Sequence, residues 1–217
     1  MSPMHPLDAR FYDYLNERPI IAILRGVTPA EVIPIGKALI SAGIRIIEIS
    51  LNSPNPFESI RLLSETSGPE ALIGAGTVFT ARDVARVKDA GGELVVSPNT
   101  DGAVIEATRA AQMISVPGFF TPSEAFAAIH AGAHAIKLFP AEAASPAVVK
   151  AQRAVLPKNI PLLVVGGVTA DDTGSWLSAG ANGFGLGSAL YCPGQTASQV
   201  HDQALRFVSA LSRRDQS

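Results

Sequence analysis

Residues 113–142 read MISVPGFFTPSEAFAAIHAGAHAIKLFPAE and hold one complete round of a repeating pattern. Met113–Val116 is a short apolar run of strand character. Thr121-Pro122-Ser123-Glu124 then combines a capping threonine, a proline at the first helical position and a glutamate able to reciprocate the cap. The helix it starts stops at Ala131-Gly132, where glycine suits a left-handed C-terminal turn. Ala135–Phe139 is a second apolar run. Strand, helix and strand in this order imply a parallel sheet with crossover helices.

The same beat extends in both directions. Apolar runs recur at Ile20–Leu24, Ile44–Leu51, Ala71–Gly74, Leu94–Ser97, Met113–Val116, Ala135–Phe139, Leu162–Val165 and Gly183–Leu186. Thr28-Pro29-Ala30-Glu31 repeats the strong helix start, and Asn55-Pro56 with Glu58, Thr80 with Asp83, Ser145-Pro146 and Thr169 with Asp172 are looser versions. Ala42-Gly43, Ala90-Gly91 and Ala179-Gly180 repeat the stop. Eight such units in 217 residues predict an α/β fold, a (β/α)8 TIM barrel. An extra N-terminal helix at Leu7–Asn16 is expected to cap the barrel bottom, and His201–Leu211 to form a terminal helix. No linker interrupts the pattern, so residues 1–217 are expected to form a single domain; an open doubly wound sheet is the alternative architecture.

Composition narrows the partners. Hydrophobic residues make up 47 % of the chain, charged residues 17 %, and the net charge is −2. With no basic run, neither nucleic acid nor an anionic membrane surface is an expected partner, which leaves a small molecule. The start MSPMHPLDARFYDYLNE lacks a cationic segment followed by a long apolar one, and no uncharged stretch approaches the roughly 18 residues of a membrane span. A cytoplasmic location is expected. The single Cys192 has no internal disulfide partner, and His5, His130, His134 and His201 have no metal-ligand spacing, so no metal and no cofactor are expected.

Within HAIKLFPAE a lysine interrupts an apolar strand. Alternation puts Ala135, Lys137 and Phe139 on one face and Ile136 and Leu138 on the other, helix-facing side. Lys137 therefore points into the barrel. On IRIIEISLNSP (Ile44–Pro54), Ile46, Glu48 and Ser50 share the inward face in the same way. The two strands are the second and the sixth, and alternate strands fill one interior layer, so Glu48 and Lys137 can each offset the other's burial. A structural ion pair is one reading. Buried pairs add little net stability, however, and the catalytic end of a barrel favours chemistry. A desolvated lysine keeps a fraction of free amine that can form an imine with a ketone, and Glu48 is the candidate acid/base beside it.

Two glycine loops mark a second feature. Val164-Val165-Gly166-Gly167-Val168-Thr169 closes strand seven and Gly183-Phe184-Gly185-Leu186-Gly187-Ser188 closes strand eight, the places where barrels often bind phosphate. The alternative is that these glycines only make tight turns. No nucleotide-binding glycine motif is present. Gly74-Ala75-Gly76-Thr77-Val78 after strand three offers a hydroxyl and backbone amides to a carboxylate. Arg25, in AILRG, is placed to enter the same mouth as a cation beside Glu48; a surface arginine paired with a helix is its other reading.

GAGTV (74–78), SPN (97–99), VPG (116–118), K-x-FPAE (137–142) and VGGV (165–168), with an inward glutamate on strand two, resemble the bacterial 2-keto-3-deoxy-6-phosphogluconate/6-phosphogalactonate aldolases. The likeness runs from about Pro19 to Gln195. It implies a class I, metal-independent aldolase that splits a phosphorylated 2-keto-3-deoxy sugar acid into pyruvate and glyceraldehyde 3-phosphate, in a homotrimer. By position it makes Lys137 the Schiff-base lysine and Glu48 the general acid/base. It places Gly76, Thr77 and Pro98 at the pyruvyl end, Phe139 beside the lysine, and Gly166, Gly167, Gly187 and Ser188 at the phosphate.

Gluconate-type members resemble T-L-R-T after the glutamate and P-T-G-G at strand seven. This chain has Ser50-Leu51-Asn52-Ser53 and Val164-Val165-Gly166-Gly167 instead. Arg25, the LNSP turn and Val165 are similar to the galactonate branch. The two substrates differ at C4, and a methyl at Val165 in place of a wall hydroxyl removes a partner for one orientation of the C4 hydroxyl. The expected substrate is 2-dehydro-3-deoxy-6-phosphogalactonate, with the gluconate epimer or 4-hydroxy-2-oxoglutarate as alternatives. A barrel that binds sugar phosphates without catalysis, or one kept as an assembly subunit, would leave the Lys137/Glu48 pair without a purpose. Glu142 is either at the site mouth or a helix-start charge, Cys192 reads as an inert thiol, and Trp176 reads as packing or a subunit contact.

Overall fold

The computed structural model describes residues 5–212; the first four residues of the N-terminal stretch and the last five of the chain lie outside them. Nine strands form one parallel sheet: β1 (Ile20–Leu24), β2 (Ile46–Ser50), β3 (Leu72–Gly76), β4 (Leu94–Val96), β5 (Ile114–Val116), β6 (Gly118–Phe119), β7 (Ile136–Leu138), β8 (Leu162–Val165) and β9 (Gly183–Leu186). The helices are α1 (Pro6–Glu17), α2 (Pro29–Ser41), α3 (Pro56–Ser67), α4 (Ala81–Asp89), α5 (Gly102–Ala110), α6 (Pro122–His130), α7 (Pro146–Arg153), α8 (Thr173–Ser178) and α9 (Ala197–Ser212). None of them is long and apolar enough to cross a membrane.

The sheet order β5-β4-β3-β2-β1-β9-β8-β7-β6 begins and ends on neighbours in the chain. Only Pro117 separates β5 from β6, so the sheet closes into a barrel with β5 and β6 as its fifth stave. The expected single fifth strand is thus two, because proline has no N–H for the ladder. Backbone bonds still bridge the seam: Lys137 N–H donates to the Pro117 carbonyl at 2.9 Å and Ser97 N–H to that of Val116 at 3.3 Å. A side chain at Gly118 would run into the carbonyl of Pro98, which is why the seam carries glycine.

The expected alternation holds. Ile21, Ile23, Ile46, Leu72, Leu94, Val96, Ile114, Val116, Ala135, Leu163 and Val165 pack together inside the barrel. Ile20, Ala22, Ile47, Ile49, Ile136, Leu138, Leu162 and Val164 face the helices. Trp176, 7 % exposed, belongs to this outer layer and packs within its own chain.

The strong helix starts are used as expected. Glu31 accepts from Thr28 N–H at 3.1 Å, and Glu124 from Thr121 N–H at 2.7 Å. Asn55 and Ser145 precede their helices without a side-chain cap. Thr169 is not a cap: its N–H donates to Asp172, which itself precedes α8. The terminal helix starts earlier than expected, at Ala197, because Thr196 and Gln199 form a reciprocal cap.

α1 closes the barrel bottom. Phe11 and Leu15 enter the inner core, and Asp8 accepts from His134 at 3.1 Å. The Ser115 N–H donates to Nδ1 of the same ring at 3.0 Å, so Nε2 carries the proton given to Asp8. Tyr12 adds a bond to the His134 carbonyl at 3.1 Å.

Candidate active site

Register places the two charges. Glu48 lies beside Ile23 of β1 and Gly74 of β3, and Lys137 beside Gly118 of β6 and Leu163 of β8. Glu48 is 3 % exposed and Lys137 6 %. Both line one small gap of about 10 Å³ whose remaining wall includes Ile21, Ile23, Val116, Leu163 and Val165. No direct ion pair joins them among the described residues, and Oε2 of Glu48 has no hydrogen-bond partner. That arrangement does not suit a structural ion pair, which needs contact and satisfied lone pairs to offset desolvation.

Burial sets the electrostatics. Desolvation raises the Glu48 carboxyl to about 7 against the opposing pull of Lys137 and Arg25. It also lowers Lys137, helped by Arg25 and opposed by Glu48. Nζ of Lys137 sits 5.2 Å from the Phe139 ring centroid, which puts the expected aromatic neighbour in place. A methyl built on Gly76 would lie 2.6 Å from the Glu48 carboxyl carbon, so glycine is required there for the acid to occupy its position.

Above this gap opens a pocket of about 150 Å³, which shares Ile23, Val165 and Gly185 with it. Arg25, Phe139, Gly166, Gly167, Gly187 and Ser188 line it. Gly166 (φ 114°) and Gly167 (φ 64°) lie in the left-handed region, so their backbone is one that other residues rarely adopt. After β9 a helical turn begins at Gly187, whose carbonyl accepts from Leu190 and Tyr191 N–H. The leading amides of such a turn have no partner within it, a suitable seat for an anion. Arg25 forms no ion pair with a helix among the described residues. The structure therefore brings together both central charges and most of the expected substrate contacts.

Thr77 and Pro98 line neither cavity. Thr77 has φ 60°, an unusual conformation for a β-branched residue, and its hydroxyl bonds Ser50 Oγ at 2.6 Å. Pro98 is half-buried, with its carbonyl against Gly118. Sequence reasoning placed Ser50 on the inward face but gave it no role. For Glu142 the sequence allows two readings, the site mouth or a helix-start charge. The structure puts Glu142 in the mouth: its carboxylate lies against Gly166, and its Cγ is 2.7 Å from a methyl built on Gly167. Only the fold brings residues 142 and 166 together, so nothing local in the sequence decides between those readings.

A buried lysine whose charged form burial disfavours, a carboxyl raised to about 7 and a glycine-lined pocket above them fit a class of protein: a barrel lyase of the Schiff-base type, which breaks carbon–carbon bonds next to a ketone. The family model for KDPG and KHG aldolase matches residues 12–204. The chain belongs to this aldolase family, whose members are class I enzymes. It is 46 % identical over 194 residues to the probable 2-dehydro-3-deoxy-6-phosphogalactonate aldolase of Rhizobium meliloti (strain 1021), covering 89 % of this chain and 92 % of that protein. It is 44 % identical over 192 residues to the 2-dehydro-3-deoxy-6-phosphogalactonate aldolase of Escherichia coli (strain K12), covering 88 % and 94 %. A solved structure of native KDPGal superposes with a TM-score of 0.90 at 43 % identity, over 92 % of this chain and 97 % of that one.

Proposed function

We propose that the protein cleaves 2-dehydro-3-deoxy-6-phosphogalactonate to pyruvate and D-glyceraldehyde 3-phosphate. The observation that carries this reading is the single cavity shared by Glu48 and Lys137 without a direct ion pair. The free amine of Lys137 adds to the C2 ketone, and loss of water leaves a protonated imine. Glu48 takes the proton of the C4 hydroxyl as the C3–C4 bond breaks; the electron pair moves onto C3 to give an enamine and the aldehyde departs. Glu48 then returns the proton to C3, and hydrolysis of the imine releases pyruvate. Arg25, Gly166, Gly167, Gly187 and Ser188 hold the phosphorylated end, while Gly76, Thr77, Pro98 and Phe139 shape the pyruvyl end.

The glycine-lined pocket supports a phosphorylated substrate over 4-hydroxy-2-oxoglutarate. The relatives named for the galactonate compound and the methyl wall of Val165 favour that epimer over the gluconate one. Borohydride reduction with pyruvate, followed by peptide mapping, is the test of mechanism. A reduced pyruvyl adduct on Lys137, absent in Lys137→Ala, is expected; a folded protein that yields none overturns the reading. For specificity, Val165→Thr is expected to move the kcat/KM ratio toward the gluconate epimer by about tenfold. A wild-type preference for that epimer of about 10³ or more would reverse the assignment.

The reading includes a cytoplasmic homotrimer. Phe79 and Phe120, 54 % and 37 % exposed, offer apolar surface for a subunit contact. Sedimentation equilibrium at three times the chain mass supports the trimer, and a monomer excludes it; cell fractionation tests the location.

A further inference from the structure

Arg25 stands one residue beyond β1, in the short stretch Arg25–Thr28 that leads into α2. It is exposed, and its side chain has no ion-pair partner among the described residues. A long, mobile cation of this kind binds well only where its backbone is held. Ser53 supplies that hold from 28 residues away. Its Oγ accepts from Gly26 N–H at 2.9 Å and turns its proton toward the Leu24 carbonyl at 3.5 Å. One hydroxyl thus spans the residues on both sides of Arg25.

Ser53 is itself fixed. It is 7 % exposed, and its N–H donates to the Ser50 carbonyl at 2.9 Å, at the end of the strand that carries Glu48. On the far side, Gly26 (φ 82°) lies so close to Pro193 that a methyl there would sit 2.7 Å from its Cγ. The backbone of Arg25 is therefore clamped between the end of β2 and the segment after β9, and the cation is held in register with the acid.

We infer that Ser53 is a positioning residue for Arg25, fixing the mouth cation that receives the anionic end of the substrate. This rests on the aldolase reading above.

The test is a double-mutant cycle of Ser53→Ala and Arg25→Ala, read with the phosphorylated substrate. Ser53→Ala is expected to lower kcat/KM about tenfold, mainly through KM, with the rate of pyruvate trapping on Lys137 unchanged. In the Arg25→Ala background the same substitution is expected to change kcat/KM less than about twofold. An equal loss in both backgrounds, or no loss in the first, overturns the inference. Should Ser53→Ala fail to fold, Ser53→Cys is read by the same criterion, since sulfur keeps the shape but accepts the Gly26 N–H weakly. Absence of any pyruvate adduct in the wild type would instead mark failure of the aldolase reading.

Discussion

Glu142 sets a carboxylate against Gly166 and Gly167, the glycines expected to receive a phosphate. An incoming dianion must displace it or accept its repulsion. Glu142→Gln is therefore expected to lower KM for the phosphorylated substrate about threefold to tenfold with kcat nearly unchanged, as steady-state kinetics will show. Glu48 is a different case, because its carboxyl is raised to about 7 by burial. Glu48→Gln is expected to lower kcat about 10²- to 10⁴-fold, to abolish the acid limb of the pH profile near neutrality and to leave pyruvate trapping on Lys137 intact. Inward alternation made Glu48 and Lys137 readable in the chain. Ser50, Ser53 and Glu142 were not given these roles, because their partners Thr77, Gly26 and Gly166 meet them only after folding.

Helix α1 is tied to the barrel by Asp8, whose carboxylate accepts from His134, with Arg109 3.9 Å from the same oxygen. Asp8→Ala leaves a buried ring N–H without its acceptor, and is expected to destabilise the protein by about 1–3 kcal/mol in urea unfolding. The latch lies at the N-terminal ends of the strands, opposite the mouth, so kcat/KM for the phosphorylated substrate should not change. Thr28–Glu31 and Thr121–Glu124 were legible as helix starts because a cap is settled within four residues. The α1 latch was not legible: His134 stood in the sequence as one of four unremarkable histidines, and its partners Asp8 and Ser115 are 126 and 19 residues away.

For the whole molecule, two buried groups pull stability in opposite directions with pH. Burial and Arg109 push His134 down to about 4, against the pull of Asp8. As pH falls from the ordinary histidine range through that value, the unfolded chain takes up a proton that the fold refuses, so stability is lost. Glu48 is raised to about 7, so its folded form holds a proton that the unfolded chain does not; stability is present below the ordinary carboxylate range and is lost as pH rises through 7. The two displacements act in opposite senses, so they offset each other between pH 7 and 4.5. Glu48→Gln should therefore unfold more easily as the medium is acidified across that range, and a His134→Gln variant should do the reverse. Denaturant midpoints measured every half pH unit will decide it, and parallel curves for the two variants would refute the account.

The amino-acid sequence by itself determined the repeating unit, the number of staves, the helix starts at Thr28 and Thr121 and the inward faces carrying Glu48 and Lys137. Each is settled by periodicity or by hydrogen bonds among near neighbours. The resemblance of its motifs pointed to the aldolase family. Tertiary structure alone decided that the fifth stave breaks at Pro117, that the central charges share a cavity without pairing, and that Ser53 clamps Arg25 and Glu142 covers the glycines. These depend on barrel closure and strand register, which place side chains from distant parts of the chain within a few ångströms of one another.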